Sequence, residues 1–276
     1  DGRLRAGWRI LIFVALFMAL SIGGQVGIRA AMGGFPKGSG LIFVLIATTA
    51  TASVLIARRH FDRKSFVSLG FGEIGRGWKD LLFGFLLSGA MAATVFGVMV
   101  AFGLIENVVV AVSATEALAL LAVPLALTIL IGYWEELVFR GYLLQNMAEG
   151  LGMRSAIIIS CVLYGLVHAA NPNAGLLSST IIVLFGFLRI YGYLATGLLW
   201  LSIGMHIGWN FFQGPVFGFA ASGHRDDATI ISHAAAGPGW LSGGDFGPEA
   251  SIVTVPVVLL ALGAMYLWSR HRAVAA

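Results

Sequence analysis

The sequence predicts an all-α, polytopic membrane protein, because it is strongly apolar, poor in charge and divided into long uncharged runs. Of its 276 residues, 58% are hydrophobic and only 11% are charged, whereas soluble domains carry about 25% charged residues. The mean hydropathy is +0.90. These three values exclude an ordinary soluble domain.

Eight segments are candidate transmembrane helices, since about 20 mostly apolar residues cross a bilayer. They lie at about residues 8–31, 40–57, 79–104, 115–139, 155–170, 175–194, 196–219 and 251–269. The first segment follows several arginines and also resembles a secretory signal sequence, but its long apolar stretch favours a retained helix. We therefore expect about eight transmembrane helices in a single integral membrane domain, residues 1–276.

Two connections are too polar to cross a membrane. Segment 61–79, before the third span, mixes aromatic with basic residues, so we expect it to lie along the cytoplasmic interface. Segment 214–250 is rich in Gly, Ala and Ser and is predicted to be an irregular outer loop, with a lid as the alternative. The helices of the functional core are expected within residues 105–212.

The distribution of Lys and Arg predicts that both termini are cytoplasmic. With the N-terminus inside, thirteen basic residues, including Arg189, fall on the cytoplasmic side, and only Arg29, Lys37 and Arg225 fall outside. We expect a multi-pass protein of the cell membrane, in bacteria the cytoplasmic membrane, with the lipid bilayer as its surroundings. Because the basic residues lie at span ends and form no stripe, the net charge of +4 does not indicate nucleic-acid binding.

One cluster of charged residues interrupts a long apolar run. No charged residue occurs from Ala117 to Trp134, and Glu135, Glu136 and Arg140 follow. Glu136 and Arg140 are four residues apart and can pair on a helix, whereas Glu135 points about 100° away. A buried ion pair that fixes packing explains two of these residues. It leaves Glu135 without a structural role, and intramembrane charges are typical of functional sites.

Two further pairs of polar residues lie within apolar spans. Tyr164 and His168 are one helical turn apart, and so are His206 and Asn210. Gly204 and Gly208 lie on nearly the opposite face from His206 and favour close helix packing there. Taken alone, each pair is explained as well by a hydrogen bond between helices.

Together, a glutamate, two histidines and an asparagine on three spans indicate a hydrolytic site. A carboxylate can accept a proton from water, and a His–Asn pair can stabilise an oxyanion. The same groups also suit a divalent metal such as zinc, so activation of water by glutamate and by a metal both stay open. There is no H-E-x-x-H motif, Cys161 has no disulfide partner, and no serine has an adjacent base.

These motifs resemble those of the CPBP family, the CAAX proteases and bacteriocin-processing enzymes also called the Abi family. Glu135-Glu136-Leu-Val-Phe139-Arg140-Gly141 resembles its EExxFRG motif, and His206-Ile-Gly-Trp-Asn210 resembles its HxxxN motif. Tyr164-Gly-Leu-Val-His168 resembles its FxxxH motif, with tyrosine in place of phenylalanine. The resemblance implies an eight-helix intramembrane endopeptidase that cuts membrane-associated peptides or protein tails.

The resemblance also implies a role for each residue. Glu135 would be the proton acceptor and donor, His168 would assist the water, and His206 with Asn210 would stabilise the oxyanion. Glu136, Arg140 and Tyr164 would support the site. Two other functions stay open: a catalytically silent peptide- or lipid-binding or bacteriocin-immunity protein that uses the same pocket, and a proton-coupled transporter with a Glu135–His168–His206 relay.

One spatial mismatch needs an explanation. The predicted spans place Glu135 near the cytoplasmic end of the fourth helix and His168 about 14 residues into the fifth, which is roughly 20 Å at 1.5 Å per residue. Tilt, a break, or inward displacement of the fourth helix, with a kink at Pro124, would bring them together. We expect a water-filled cavity that opens from the cytoplasm.

Overall fold

The computed structural model of the protein describes residues 2–36, 40–72, 74–110, 112–225 and 229–274. Lys37, predicted to lie on the outer side, and positions 226–228 of the predicted outer loop fall outside the described residues. The helices are α1 Ala6–Met32, α2 Leu41–Ala57, α3 Ile74–Ala101, α4 Ala114–Glu136, α5 Leu144–Leu151, α6 Met153–His168, α7 Leu176–Thr196, α8 Trp200–Phe211, α9 Gly239–Ser242 and α10 Thr254–Val274.

Three of these helices are extended by π-helical turns. Arg58–Asp62 continues α2, Leu137–Leu143 joins α4 to α5, and Phe212–Val216 continues α8. Short 3₁₀ turns occur at Val67–Leu69 and Pro248–Ala250. Because α3 begins at Ile74, the last part of the predicted interfacial segment 61–79 is helical.

Five helical segments of the described chain are long and apolar enough to cross a membrane. They are Ala6–Met32, Leu41–Asp62, Gly77–Ala101, Ala119–Leu151 and Leu176–Thr196, and Met153–His168 is a shorter apolar helix. The predicted class, an all-α polytopic membrane protein, is confirmed. The number of eight spans stays a prediction.

A small antiparallel ribbon lies at one end of the bundle. β1, Ile105–Val110, pairs with β2, Ile231–Ala235, with Ile105 opposite Ala235 and Val110 opposite Ile231. The β-branched run at the end of β1 favours a strand. The core range 105–212 therefore begins with a strand, and the ribbon ties the connection after α3 to the predicted loop 214–250.

Successive long helices run in opposite directions, so the bundle has two distinct faces. Arg9 near the start of α1 bonds to Asp62 at 3.1 Å, while Ser21 and Thr49 bond further along the same two helices at 2.9 Å. Arg272 at the end of α10 bonds to Asp80 at 3.1 Å. We call this end the terminal face, because the first and last described residues lie there, and the opposite end, with segment 214–250, the loop face.

Helix α8 packs closely on α3, as its pair of glycines predicts. A Cβ at Gly204 would collide with the carbonyl of Leu81, and one at Gly208 with the carbonyl of Phe85. Ser88 of α3 donates to the carbonyl of Met205 at 2.8 Å. This contact fixes the rotation of α8 and turns His206 towards the opposite side, where α4 lies.

Gly208→Ala is expected to lower the midpoint of thermal unfolding, since the new methyl group meets backbone that cannot move without displacing α3. Overpacking of this kind costs about 1–3 kcal/mol. Gly97→Ala is the matched control, because a Cβ at Gly97 has nothing within 4 Å and alanine favours a helix. Equal midpoints for the two variants in detergent would contradict the α3–α8 contact.

Candidate active site

The helix that carries the charged motif is longer than predicted. It continues from α4 through the π-helical turn into α5, and its apolar stretch Ala119–Leu151 has 33 residues. Glu135 therefore lies near the middle of that stretch. The prediction that placed it near the cytoplasmic end was wrong, because the charges of Glu136 and Arg140 are neutralised inside the bundle and do not end the helix. The expected 20 Å mismatch with His168 disappears.

Glu136 is the centre of a buried ionic cluster. Its side chain is fully buried, and its Oε1 accepts a hydrogen bond from Arg140 Nη1 at 3.1 Å. His206 Nδ1 lies 2.9 Å from the same oxygen, and Arg189 Nε lies 3.9 Å from it. The predicted Glu136–Arg140 pair is thus present, and it is joined by one group from α7 and one from α8.

Glu135 points away from this cluster into a cavity. Its Oε2 accepts a hydrogen bond from the Tyr164 hydroxyl at 3.0 Å, and Arg189 Nη1 donates to that hydroxyl at 2.6 Å. His206 Nε2 lies 3.7 Å from Glu135 Oε2, which is too long for a hydrogen bond. The imidazole of His206 therefore stands between the two glutamates and contacts both with different nitrogens.

The hydrogen bonds assign the tautomers of both site histidines. The Glu136 carboxylate is an acceptor, so His206 carries a proton on Nδ1 and in its neutral form presents the Nε2 lone pair towards Glu135. His168 Nδ1 lies 2.8 Å from the carbonyl oxygen of Tyr164, which also only accepts. Nε2 of neutral His168 is thus likewise an acceptor.

All four predicted catalytic residues line one cavity of about 390 Å³. Glu135 contributes from α4, His168 from α6, and His206 and Asn210 from α8; Tyr164 lines it as well. Arg140 is buried behind the cavity, with its guanidinium 4.3 Å from the centre of the Tyr164 ring. Groups from three distant helices therefore meet at one hollow.

The cavity extends towards the loop face. Phe43 near the start of α2, Asn171 after α6, and Ala221, Ser222 and His224 of the long connection line it. The prediction of a cavity that opens from the side of the termini was wrong. The reason is the register of the helices: His168 is the last residue of α6, and Asn210 is next to last in α8, at their loop-face ends.

Two residues of the site were missed from the sequence. Arg189 was placed at the cytoplasmic boundary, but it is only 2% exposed and bonds to Tyr164 inside the bundle. A single charge within the apolar run of α7 is a signal that would have found it. Glu249 lines the cavity too, and accepts bonds from Trp209 Nε1 at 2.9 Å and from the backbone N–H of Ser222 at 2.7 Å. No local pattern marks Glu249.

The described side chains do not form a metal site. Zinc in proteins is held by three or four ligands, and no group of three or more His, Cys, Asp and Glu side chains with suitable geometry occurs among the residues that the structure describes. Glu135 and Glu136 lie next to different nitrogens of the His206 ring, so the three side chains do not converge on one point. The described residues therefore do not fit a zinc ion, and the proposed chemistry uses side chains alone.

Tyr164→Phe is expected to reduce thermal stability, because Arg189 loses the acceptor of its 2.6 Å hydrogen bond within the bundle. A buried donor left without a partner costs about 1–3 kcal/mol. Tyr133→Phe is the matched control, since its hydroxyl bonds to the Thr51 hydroxyl at 3.0 Å in a half-buried position. If both variants lower the unfolding midpoint equally, the Arg189–Tyr164–Glu135 hydrogen bonds stabilise the protein no more than the half-buried Tyr133–Thr51 bond does.

The fold and the site define a class: a multi-pass helical membrane protein with a cavity that leads to ionisable groups in the middle of its bundle. The model of the family described as type II CAAX prenyl endopeptidase Rce1-like matches residues 116–212. This range contains all three motifs. The resemblance recognised from the sequence is therefore confirmed over these residues, which are similar to the type II CAAX prenyl endopeptidases.

A curated relative extends this similarity. The uncharacterized protein YyaK of Bacillus subtilis (strain 168) is 29% identical over 176 residues, which are 59% of this chain and 56% of that protein. The chain thus aligns with little more than half the length of this relative. Because that protein is itself described as uncharacterized, the similarity assigns no activity to this chain.

Proposed function

We propose that the protein is an intramembrane endopeptidase that hydrolyses peptide bonds of membrane-associated peptides or protein tails. The main support for this proposal is the position of Glu135. Its carboxylate faces a cavity in the middle of the bundle, accepts a hydrogen bond from Tyr164 and lies beside His206. The match to an endopeptidase family supports the same reaction class. A purely structural ion pair would not need a cavity. Glu136 and Arg140 already form such a pair, so Glu135 is not needed for it.

In the proposed reaction Glu135 accepts a proton from a water molecule in the cavity. The water oxygen forms a bond to the carbonyl carbon of the peptide, and the carbonyl oxygen becomes an oxyanion. The C–N bond then breaks, and the proton on Glu135 passes to the leaving nitrogen. The carbonyl re-forms, the products are a carboxylic acid and an amine, and Glu135 returns to its starting state.

The surrounding residues have separate roles in this proposal. The side-chain amide of Asn210 donates to the oxyanion, where fixed donors contribute most. His206 donates there only when Nε2 also carries a proton, because its Nδ1 proton is already bonded to Glu136. His168 assists through Nε2 as a second acceptor for the water protons. Arg189 holds Tyr164, and Tyr164 holds Glu135.

A comparison of membrane-associated peptides tests the proposal in cells. Cells that make the parent protein are compared with cells that make Glu135→Gln, by mass spectrometry of newly formed peptide termini. The control is Glu116→Gln, since Glu116 is exposed, and glutamine keeps the capping position opposite Ser113. We expect a set of termini shared by parent and control and lost with Glu135→Gln. Identical sets in all three would overturn the proposal.

A further inference from the structure

We infer that the cavity receives its substrate from the extracytoplasmic side of the membrane, so that the substrates are peptide segments exposed on that side and not cytoplasmic tails. The cleavage itself rests on the proposed function. The side of access does not, because it follows from the direction of the cavity and from the distribution of charge.

The cavity has its floor at mid-bundle and its rim at the loop face. The floor is formed by Glu135, Arg189 and His206. At the rim, Ser222 and His224 lie on the long connection, and His224 is exposed. Glu249 ties this rim to the bundle, because it accepts hydrogen bonds from Ser222 as well as from Trp209.

The way to the terminal face is filled by packed side chains. Leu137, Tyr142 and Leu144 follow the site along the same helix, and all three are fully buried. Leu69 of the connection before α3 and Leu199 before α8 are fully buried as well. Still closer to the terminal face, the buried carboxylate of Asp62 bonds to Arg9 at 3.1 Å and to Arg58 at 3.0 Å. A peptide segment therefore has its route from the loop face.

The charge of the two faces assigns them to the two sides of a membrane. By chain position, twelve Lys and Arg residues belong to the terminal face, and two of the described residues, Arg29 and Arg225, belong to the loop face. Lys37 follows α1 in the sequence and lies outside the described residues. The remaining two, Arg140 and Arg189, lie in the site. Basic connections stay in the cytoplasm, so the loop face, and the cavity with it, is extracytoplasmic.

The chemistry of the rim fits a peptide segment next to a membrane. On one side Asn171 and Ser222 are polar, and Asn171 Nδ2 donates to the carbonyl of Ser222 at 3.0 Å. On the other side α2 and α4 contribute apolar walls with Phe43, Ile46 and Leu127. An extended segment with apolar side chains on one edge satisfies both surfaces.

Labelling of single cysteines in intact bacteria tests the inference, and it does not depend on hydrolysis. The chain has one cysteine, Cys161, which is buried, so Cys161→Ala gives a background without reactive thiols. His224→Cys at the loop face and His60→Cys at the terminal face are matched, since both histidines are exposed. Thr128→Cys reports the cavity wall. Arg225→Cys replaces His224→Cys if that variant does not fold.

We expect a membrane-impermeant maleimide to label His224→Cys in intact cells and His60→Cys only after permeabilisation. A small charged thiosulfonate should reach Thr128→Cys from outside. Labelling of His60→Cys but not His224→Cys in intact cells would overturn the inference, and so would a Thr128→Cys thiol that reacts only after permeabilisation or not at all. If these results hold while Glu135→Gln leaves the peptide termini unchanged, the proposed hydrolysis fails and the orientation stands.

Discussion

Purified protein with Glu135→Gln is expected to keep its fold and to lose at least about 10²-fold of its rate of peptide hydrolysis, the usual contribution of a positioned general base. Glutamine preserves the shape of the side chain, and its amide oxygen can still accept the hydrogen bond from Tyr164. It cannot accept a proton from water. Single-turnover cleavage of a peptide identified in the cellular comparison, in liposomes, measures the loss.

The same variant separates the alternative functions. Glu116→Gln serves as the control for expression and folding, since Glu116 is exposed and far along α4 from the site. Undiminished cleavage by Glu135→Gln would show that another group activates the water. A parent protein that binds peptide without cleaving it would be a silent binding protein. Proton flux into liposomes that vanishes with Glu135→Gln would favour a transporter.

Glu136→Ala is expected to have the largest effect on stability. Removing one partner of a buried ion pair costs about 3–5 kcal/mol, because the other charge is left uncompensated. Here Arg140, which is 1% exposed, loses its partner at 3.1 Å, and His206 loses the carboxylate that orients its ring. We expect little folded protein in membranes and a strongly lowered midpoint of thermal unfolding in detergent.

A surface ion pair provides the control for this effect. Arg225 and Asp245 lie 3.6 Å apart with exposed side chains, and pairs of this kind contribute about 0–1 kcal/mol. Asp245→Ala should therefore change the midpoint little. The double variant Glu136→Ala/Arg140→Met should regain part of the stability, because it removes the uncompensated guanidinium. A Glu136→Ala protein as stable as Asp245→Ala would show that the cluster is hydrated and not buried.

The residues of the site could be predicted from the sequence because charge is costly inside an apolar span. Glu135, Glu136 and Arg140 interrupt an otherwise uncharged run, and the i, i+4 spacing of Glu136 and Arg140 predicts a pair that the structure contains. The glycine spacing in α8 predicts which side of the helix packs and which side faces the site. Both inferences depend only on local helix geometry.

The location of the site in depth could not be predicted in the same way. The charged trio suggested the end of a helix, since nothing local shows that Arg189 and His206 surround Glu136 from other helices. When the fourth helix is predicted to end at residue 139, Glu135 is placed near the side of the termini. The cavity is then predicted to open on that side. The role of Glu249 could not be predicted either. It lies in a polar connection, where the local sequence has no periodic pattern that would reveal its contact with Trp209.

The most direct test of the central claim is a double-mutant cycle between Glu135 and His206, which lie on α4 and α8 with 3.7 Å between Oε2 and Nε2. The measured quantity is kcat/KM for Glu135→Gln, His206→Ala and the double variant. Residues that act as one unit show strongly non-additive losses, so we predict that the double variant is as slow as Glu135→Gln alone. Losses that multiply would mean that the two side chains act independently, and that no shared hydrolytic site exists.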